Sequence, residues 1–201
     1  MKKALMLLAA LSLCGGALLS SCGEKHIEGS AGFTYKLSDD GTYYIAETRG
    51  TFDWEKEKTM TIGNWHDGKP VKEIASMFTY NADSGTDVNP LIDEIVVCEG
   101  ITTLNFGSLW STSAKRVVLP DGIEAIPQAL CLSSKYGVEE IVFGKGIKTI
   151  DGDLTCLPFK EPKGIKVKFR GSKEEWDQIE VSGNTVQVFE MSTFEFNYKG
   201  N

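Results

Sequence analysis

Between Leu91 and Ile150 the chain states one hydrophobic phrase three times. Ile95-Val96-Val97 leads through Cys98-Glu99-Gly100 to the apolar pair Ile101 and Leu104. Val117-Val118-Leu119 follows 22 residues later and leads through Gly122 to Ile123 and Ile126. After 24 more, Ile141-Val142-Phe143 leads through Gly144 and Gly146 to Ile147 and Ile150. A β-branched run, a glycine turn and an apolar pair three apart, returning at a nearly fixed period, predict a solenoid of stacked parallel strands.

Successive side chains of a strand point to opposite faces, so the pattern divides cleanly. Ile95, Val97, Val117, Leu119, Ile141, Phe143, Val167 and Phe169 are expected inside. Ile92, Ala114 and Val138 precede them at a common offset and join that core, and the apolar pairs line it below the turns. The outward positions stack in rows across strands about 4.8 Å apart. One row reads Glu94, Arg116, Glu140, Lys166; the next reads Val96, Val118, Val142, Lys168. The alternating charges of the first are expected to hold the register by about 0.2–1 kcal/mol per pair. The second is expected to be an exposed apolar stripe. Either its valines merely fit a pleated surface, or the two rows together form a concave docking surface for an extended polypeptide or glycan.

The flanks read as caps. Phe33–Leu37 and Thr42–Ala46 are β-rich runs about Asp40-Gly41, which predicts a tight antiparallel hairpin covering the first repeat. Thr59–Ile62 predicts a strand, and Gly68–Ile74 supplies a turn and apolar pair, so this stretch is a degenerate first repeat with an enlarged turn. Residues 81–90 form a polar insertion. Val167-Lys168-Phe169 repeats the strand 26 residues after Ile141. Ser172 and Glu175 then stand at capping-box spacing for a short helical turn, which would fold Trp176 over the open end of the core. Thr185–Phe189 and Phe194–Tyr198 are expected to finish the chain as strands.

The first residues belong to a different category. Met1-Lys2-Lys3 is basic, Ala4–Leu13 is a short apolar run, and Leu19-Ser20-Ser21-Cys22 follows, the pattern of a secretion signal too short for a permanent span. Its last four residues resemble the bacterial lipobox, which makes 1–21 a lipoprotein signal, Cys22 the acylated residue, 22–31 an acylated flexible tether and 32–201 the repeat domain with its caps. Two or three acyl chains, at about 0.8 kcal/mol per buried methylene, make a durable membrane anchor. Gly23 is not the aspartate that retains lipoproteins in the inner membrane, so the outer membrane is expected.

Loss of Lys2 and Lys3 takes the net charge from −7 to about −9, which argues against nucleic acid or anionic lipid as partner. Cys98, Cys131 and Cys156 then remain in an oxidising envelope. They read as small buried hydrophobes of the repeat core, or as one disulfide with a thiol left over. Chemistry-bearing clusters are sparse. His26 and His66 are the chain's two histidines, so a zinc site is not expected. No nucleophile elbow occurs, and Gly144-Lys145-Gly146-Ile147-Lys148-Thr149 is a repeat turn lacking the order of a phosphate loop. Asp151-Gly152-Asp153 is too short for a calcium loop. No catalytic residue, metal or cofactor is assigned. Trp54, Trp65, Trp110 and Trp176 are read as packing over repeat edges, with Trp65 and Trp110 as the alternatives for stacking a sugar.

Leu37-Ser38-Asp39-Asp40-Gly41-Thr42-Tyr43-Tyr44-Ile45, Asp67-Gly68-Lys69-Pro70-Val71-Lys72-Glu73-Ile74, Val117–Ile123 and Phe169–Trp176 together resemble BspA-like leucine-rich-repeat proteins over most of residues 33–181. The chain departs from the family in the second half of each repeat. Met77-Phe78, Gly107-Ser108-Leu109, Gln128-Ala129-Leu130 and Gly152-Asp153-Leu154 stand where an alanine-phenylalanine pair and a cysteine are usual. The resemblance implies a mostly-β, short leucine-rich-repeat solenoid with an N-terminal hairpin cap and a C-terminal cap of helical turn and strand. It also implies a bacterial envelope or cell-surface protein, with adhesion proposed for some members. The expectation is therefore a lipid-anchored binding module using Glu94, Val96, Arg116, Val118, Glu140, Val142, Lys166 and Lys168. The alternative is a structural or accessory subunit of an envelope assembly.

Overall fold

The computed structural model describes residues 25–49, 57–75, 92–109, 114–127, 138–152 and 164–200. Expectations that fall on the leader and Cys22, on Trp54, on the insertion at 81–90, on Trp110, and on Cys131 and Cys156 lie outside these residues.

The chain opens with β1 (Phe33–Leu37) and β2 (Tyr44–Arg49), paired antiparallel. The hairpin is the expected one, but its turn is longer than an Asp-Gly pair. Leu37 faces Tyr44, and the loop between them is organised by Ser38, whose hydroxyl accepts the N–H groups of Thr42 and Tyr43 and donates to Asp40 at 2.7 Å. Gly41 supplies the positive φ of 71°. β2 then pairs in parallel with β5 (Lys69–Ile74), which ties the cap to the repeats.

Five of the six strands of the long sheet come from the repeats. β3 (Thr59–Ile62) pairs in parallel with β6 (Ile92–Val97), β6 with β8 (Ala114–Val118), β8 with β10 (Glu140–Phe143), and β10 with β12 (Lys166–Phe169). After the first four of these strands the chain turns and returns a strand on the other side of the core. These are β5, β7 (Thr103–Leu104), β9 (Ala125–Ile126) and β11 (Thr149–Ile150). Alternation places Ile95, Val97, Val117, Leu119, Ile141, Phe143, Val167 and Phe169 between the two sheets, all of them buried, together with Ala114, Val138 and the three apolar pairs. Buried Cys98 joins them as a small apolar side chain.

The enlarged turn of the first repeat is itself a hairpin. β4 (Trp65–His66) pairs antiparallel with β5 around Asp67 and Gly68, both at positive φ (41° and 78°), the geometry that an Asp-Gly pair supplies between strands. The repeats approach so closely at later turns that a side chain is excluded. A Cβ on Gly144 would fall on the backbone of Pro120 and Asp121, and one on Gly146 on the Asp121 carbonyl.

Residues 25–31, expected to serve as a tether, lie along the first repeat. Ser30 N–H donates to the Thr61 carbonyl at 2.8 Å, Trp65 N–H to the Ile27 carbonyl at 3.2 Å, and Ile27 N–H to Asn64 Oδ1 at 2.9 Å. His26 stacks on Trp65 with centroids 3.4 Å apart, so one face of that indole is already covered. This segment pairs with the edge of β3, which would otherwise present bare backbone groups.

At the far end, α1 (Lys173–Trp176) begins with the expected capping box: Ser172 Oγ accepts the Glu175 N–H and Glu175 Oε2 accepts the Ser172 N–H at 2.7 Å. β13 (Glu180–Val181) continues the short sheet beside β11. Residues 185–189 correct the expectation of a strand, because they lie in α2 (Thr185–Glu190). Thr185, Val188 and Phe189 are its buried residues, at the i, i+3, i+4 spacing of a helix, and Val186 faces solvent. Of Phe194–Tyr198 only the start is strand, as part of β14 (Thr193–Glu195), which adds in parallel to β12. Trp176 closes the core against Phe143, Phe169, Phe189 and Phe194 at centroid distances of 5.2–5.6 Å.

Candidate functional site

The outward face of the long sheet carries all eight residues singled out for binding, in the two rows that alternation requires. Glu94 pairs with Arg116, Arg116 with Glu140, and Glu140 with Lys166. Val96 pairs with Val118, Val118 with Val142, and Val142 with Lys168.

The charged row is a connected network. Arg116 bonds to Glu94 through one terminal nitrogen, and its Nε donates to Glu140 at 2.7 Å. Glu140 also receives Lys168 at 3.1 Å and Lys166 at 3.3 Å. Burial opposes the charge on Glu140, but the hydrogen bonds from Arg116, Lys168 and Lys166 outweigh it and hold the carboxyl below its ordinary range. Burial likewise opposes the charges of Arg116 and Lys168, and their carboxylate partners outweigh it and raise both.

The valine row is not the exposed stripe that alternation suggested. Val118 is 1% exposed and Val142 is 0% exposed. The C-terminal tail reaches across this same face. Beyond β14, Asn197 adopts a positive φ of 54°, its N–H donates to the Gly171 carbonyl at 2.8 Å, and Tyr198 N–H donates to the Phe169 carbonyl at 3.0 Å. The Lys168 ammonium lies 4.3 Å from the centre of the Tyr198 ring, and Arg116 Nη2 donates to the Tyr198 hydroxyl at 3.4 Å. Lys168 is on β12 and Arg116 on β8, so the tyrosine crosses β10, the strand that carries Val142. Sequence reasoning missed Tyr198 as part of this face. No periodic signal marked it, because Tyr198 lies outside the repeat and 82 residues from Arg116.

A second network runs along the turns after the long strands. Glu99 accepts the Asp121 N–H through both carboxylate oxygens, and Asp121 accepts the Lys145 N–H at 3.2 Å. Arg170 reaches back to Glu99 at 3.0 Å, to Asp121 at 3.2 Å and to the Leu119 carbonyl. Burial and the neighbouring Asp121 charge raise the Glu99 carboxyl above its ordinary range, against the pull of the Asp121 N–H and Arg170. Each turn thus accepts the backbone of the next, which fixes the stacking that aligns the outward rows.

Among the described residues no group of three or more His, Cys, Asp or Glu side chains could hold a metal ion. No described helix is long and apolar enough to cross a membrane. No protein-family model and no curated protein matches the chain. Among solved structures it is similar to a leucine-rich repeat protein of T. pallidum, at 18% identity and a TM-score of 0.58 over 84% of this chain and 71% of that one. At this identity the likeness is one of fold, and with the parallel strands, repeat period and two-sheet core already described, it makes the chain a leucine-rich-repeat solenoid.

Proposed function

We propose that the protein is a lipid-anchored interaction module of the bacterial envelope, of the kind found among BspA-like leucine-rich-repeat lipoproteins, and that it binds a protein partner through the outward face of its long sheet. The observation that carries this reading is the ordered Glu94–Arg116–Glu140–Lys166 ladder on a rigid stack of parallel strands. A repeat array presents equivalent side chains at fixed spacing over several strands, which suits recognition of an extended partner and performs no bond chemistry by itself. The β3–β6 end of the face is open, with exposed Thr59 beside Glu94 and half-buried Thr61 beside Val96, and Lys166 is exposed at the other end. The lipobox-like Leu19–Cys22 supports the anchor, and the net negative charge fits a protein partner better than nucleic acid.

The burial of Val118 and Val142, with Tyr198 held between Lys168 and Arg116 on the same face, favours a second reading, a structural subunit whose outward face is largely self-contained. Two measurements separate the readings. Metabolic labelling with a palmitate analogue should mark the chain and lose the mark in Cys22→Ala; an unlabelled native chain removes the anchor. The soluble fragment Gly23–Asn201, which contains all described residues, should capture a partner that Glu94→Lys with Val96→Lys no longer retains. Undiminished capture by that double variant removes the β3–β6 face from the reading.

A further inference from the structure

We infer that the outward face is a recognition site for a tyrosine-bearing polypeptide segment, and that Tyr198 of the chain's own C-terminal tail is its built-in occupant. The inference rests on the proposed use of this face for binding and names the chemistry of what it takes.

The end of the core does not need Tyr198. Trp176, Phe189 and Phe194 already close it, and Phe196 packs against the same core. Regular strand pairing to β12 ends at Glu195. After that residue the backbone turns through Asn197 and carries one aromatic side chain across the face. What it meets there is a made-to-measure surround: a buried valine floor on β8 and β10, an ammonium 4.3 Å from the ring centre, and a guanidinium donating to the hydroxyl. A cation over an aromatic ring and a donor at a phenol oxygen discriminate tyrosine from aliphatic side chains, and the donor discriminates it from phenylalanine. At the hydroxyl end the charged partner is Arg116, itself held by Glu94 and Glu140.

The bonds that hold the occupant are transferable. Two backbone N–H groups, those of Asn197 and Tyr198, donate to the carbonyls of Gly171 and Phe169. Any peptide presents such donors, so an external segment reproduces them without change to the fold. Gly200 lies against the hydroxyl end of the Tyr198 side chain. The tail has the advantage of attachment, with an effective concentration on the order of millimolar, and external segments compete against it. The face is thereby kept covered until a segment with tyrosine in this setting is abundant or the tail is drawn away.

The test measures binding of a fluorescent peptide with the tail sequence Phe194–Gly200 to the purified chain by polarisation. The wild type should bind weakly, and Tyr198→Ala, whose face has lost its occupant, should bind about tenfold more tightly or better. A peptide with alanine in place of its tyrosine should bind neither. Equal affinity of the wild type and Tyr198→Ala overturns the inference, as does equal binding of the two peptides. If Tyr198→Ala fails to fold, Tyr198→Phe decides, because it keeps the ring and loses only the bond to Arg116. A gain of about threefold supports the inference and no gain overturns it. The assay uses no lipid and no natural partner, so its failure leaves the anchored module standing on its β3–β6 end. Failure of labelling at Cys22 or of partner capture leaves this result untouched.

Discussion

Glu140 shows how single residues set the behaviour of the outward face. Its carboxylate takes three cationic partners from β8 and β12, and the side chain is only 16% exposed. Its folded pKa is lowered, so the stability it contributes is present above its unfolded range and is lost as pH falls through the folded value. Glu140→Gln keeps the shape and leaves Arg116 and Lys168 poorly compensated. The expected cost is about 2 kcal/mol at neutral pH, read from urea unfolding. Glu99 behaves in the opposite sense, because burial raises its folded pKa, and the stability it contributes is present in acid and lost as pH rises. As pH falls below about 4.5, therefore, the cost of Glu140→Gln should shrink, whereas that of Glu99→Gln should shrink as pH rises above about 4.5. Parallel changes in the two would contradict the assigned partners. Lysine at Val118 or Val142 is not a probe of partner contact, since both side chains are buried and the charge would act on folding.

At the scale of elements, the stacking of turns is the point of least tolerance. A Cβ on Gly144 meets main-chain atoms of Pro120 and Asp121, which cannot swing aside as a side chain could. Gly144→Ala is expected to cost about 3 kcal/mol by prising β10 from β8. Gly68→Ala has open space around it and pays only for its positive φ of 78°, so about 1 kcal/mol is expected there. Thermal melts of the two variants should keep that order, and similar losses would show that the repeats can part at little cost. The same elements show what was legible beforehand. The repeat phrase specified β6, β8, β10 and β12, their inward and outward sets and their register, because burial between two sheets demands strict alternation. The capping box specified the start of α1 for an equally local reason. Residues 185–189 misled, since Thr, Val and Phe favour strands in composition, while docking on the open end of the core selected the helical spacing of Thr185, Val188 and Phe189. The contact of Tyr198 with this face was out of reach of any periodic reading, because Tyr198 lies 82 residues from Arg116 and outside the repeat.

For the whole molecule, the decisive property is that each repeat touches chiefly its neighbours, so stability is passed along the stack and the ends are closed by separate devices. At the first end, β2 pairs with β5, and Ser30 pairs with Thr61 along the edge of β3. At the last, Trp176 gathers Phe143, Phe169, Phe189 and Phe194 into one aromatic lid. Trp176→Ala removes the hub of that lid, and a loss of about 4 kcal/mol is expected for so large a truncation among packed rings. In a stack of coupled neighbours the loss should not be shared evenly. Amide hydrogen exchange should quicken most in β12 and β14, less in β10, and least in β3 and β6, which keep their own cap. Because Tyr198 is held by the Phe169 carbonyl of β12, the outward cover should loosen with the lid, and Val142 should lose protection before Val97 does. Uniform acceleration from β3 to β14 would mean that the array unfolds as one unit and that its ends do not protect separate halves of the face.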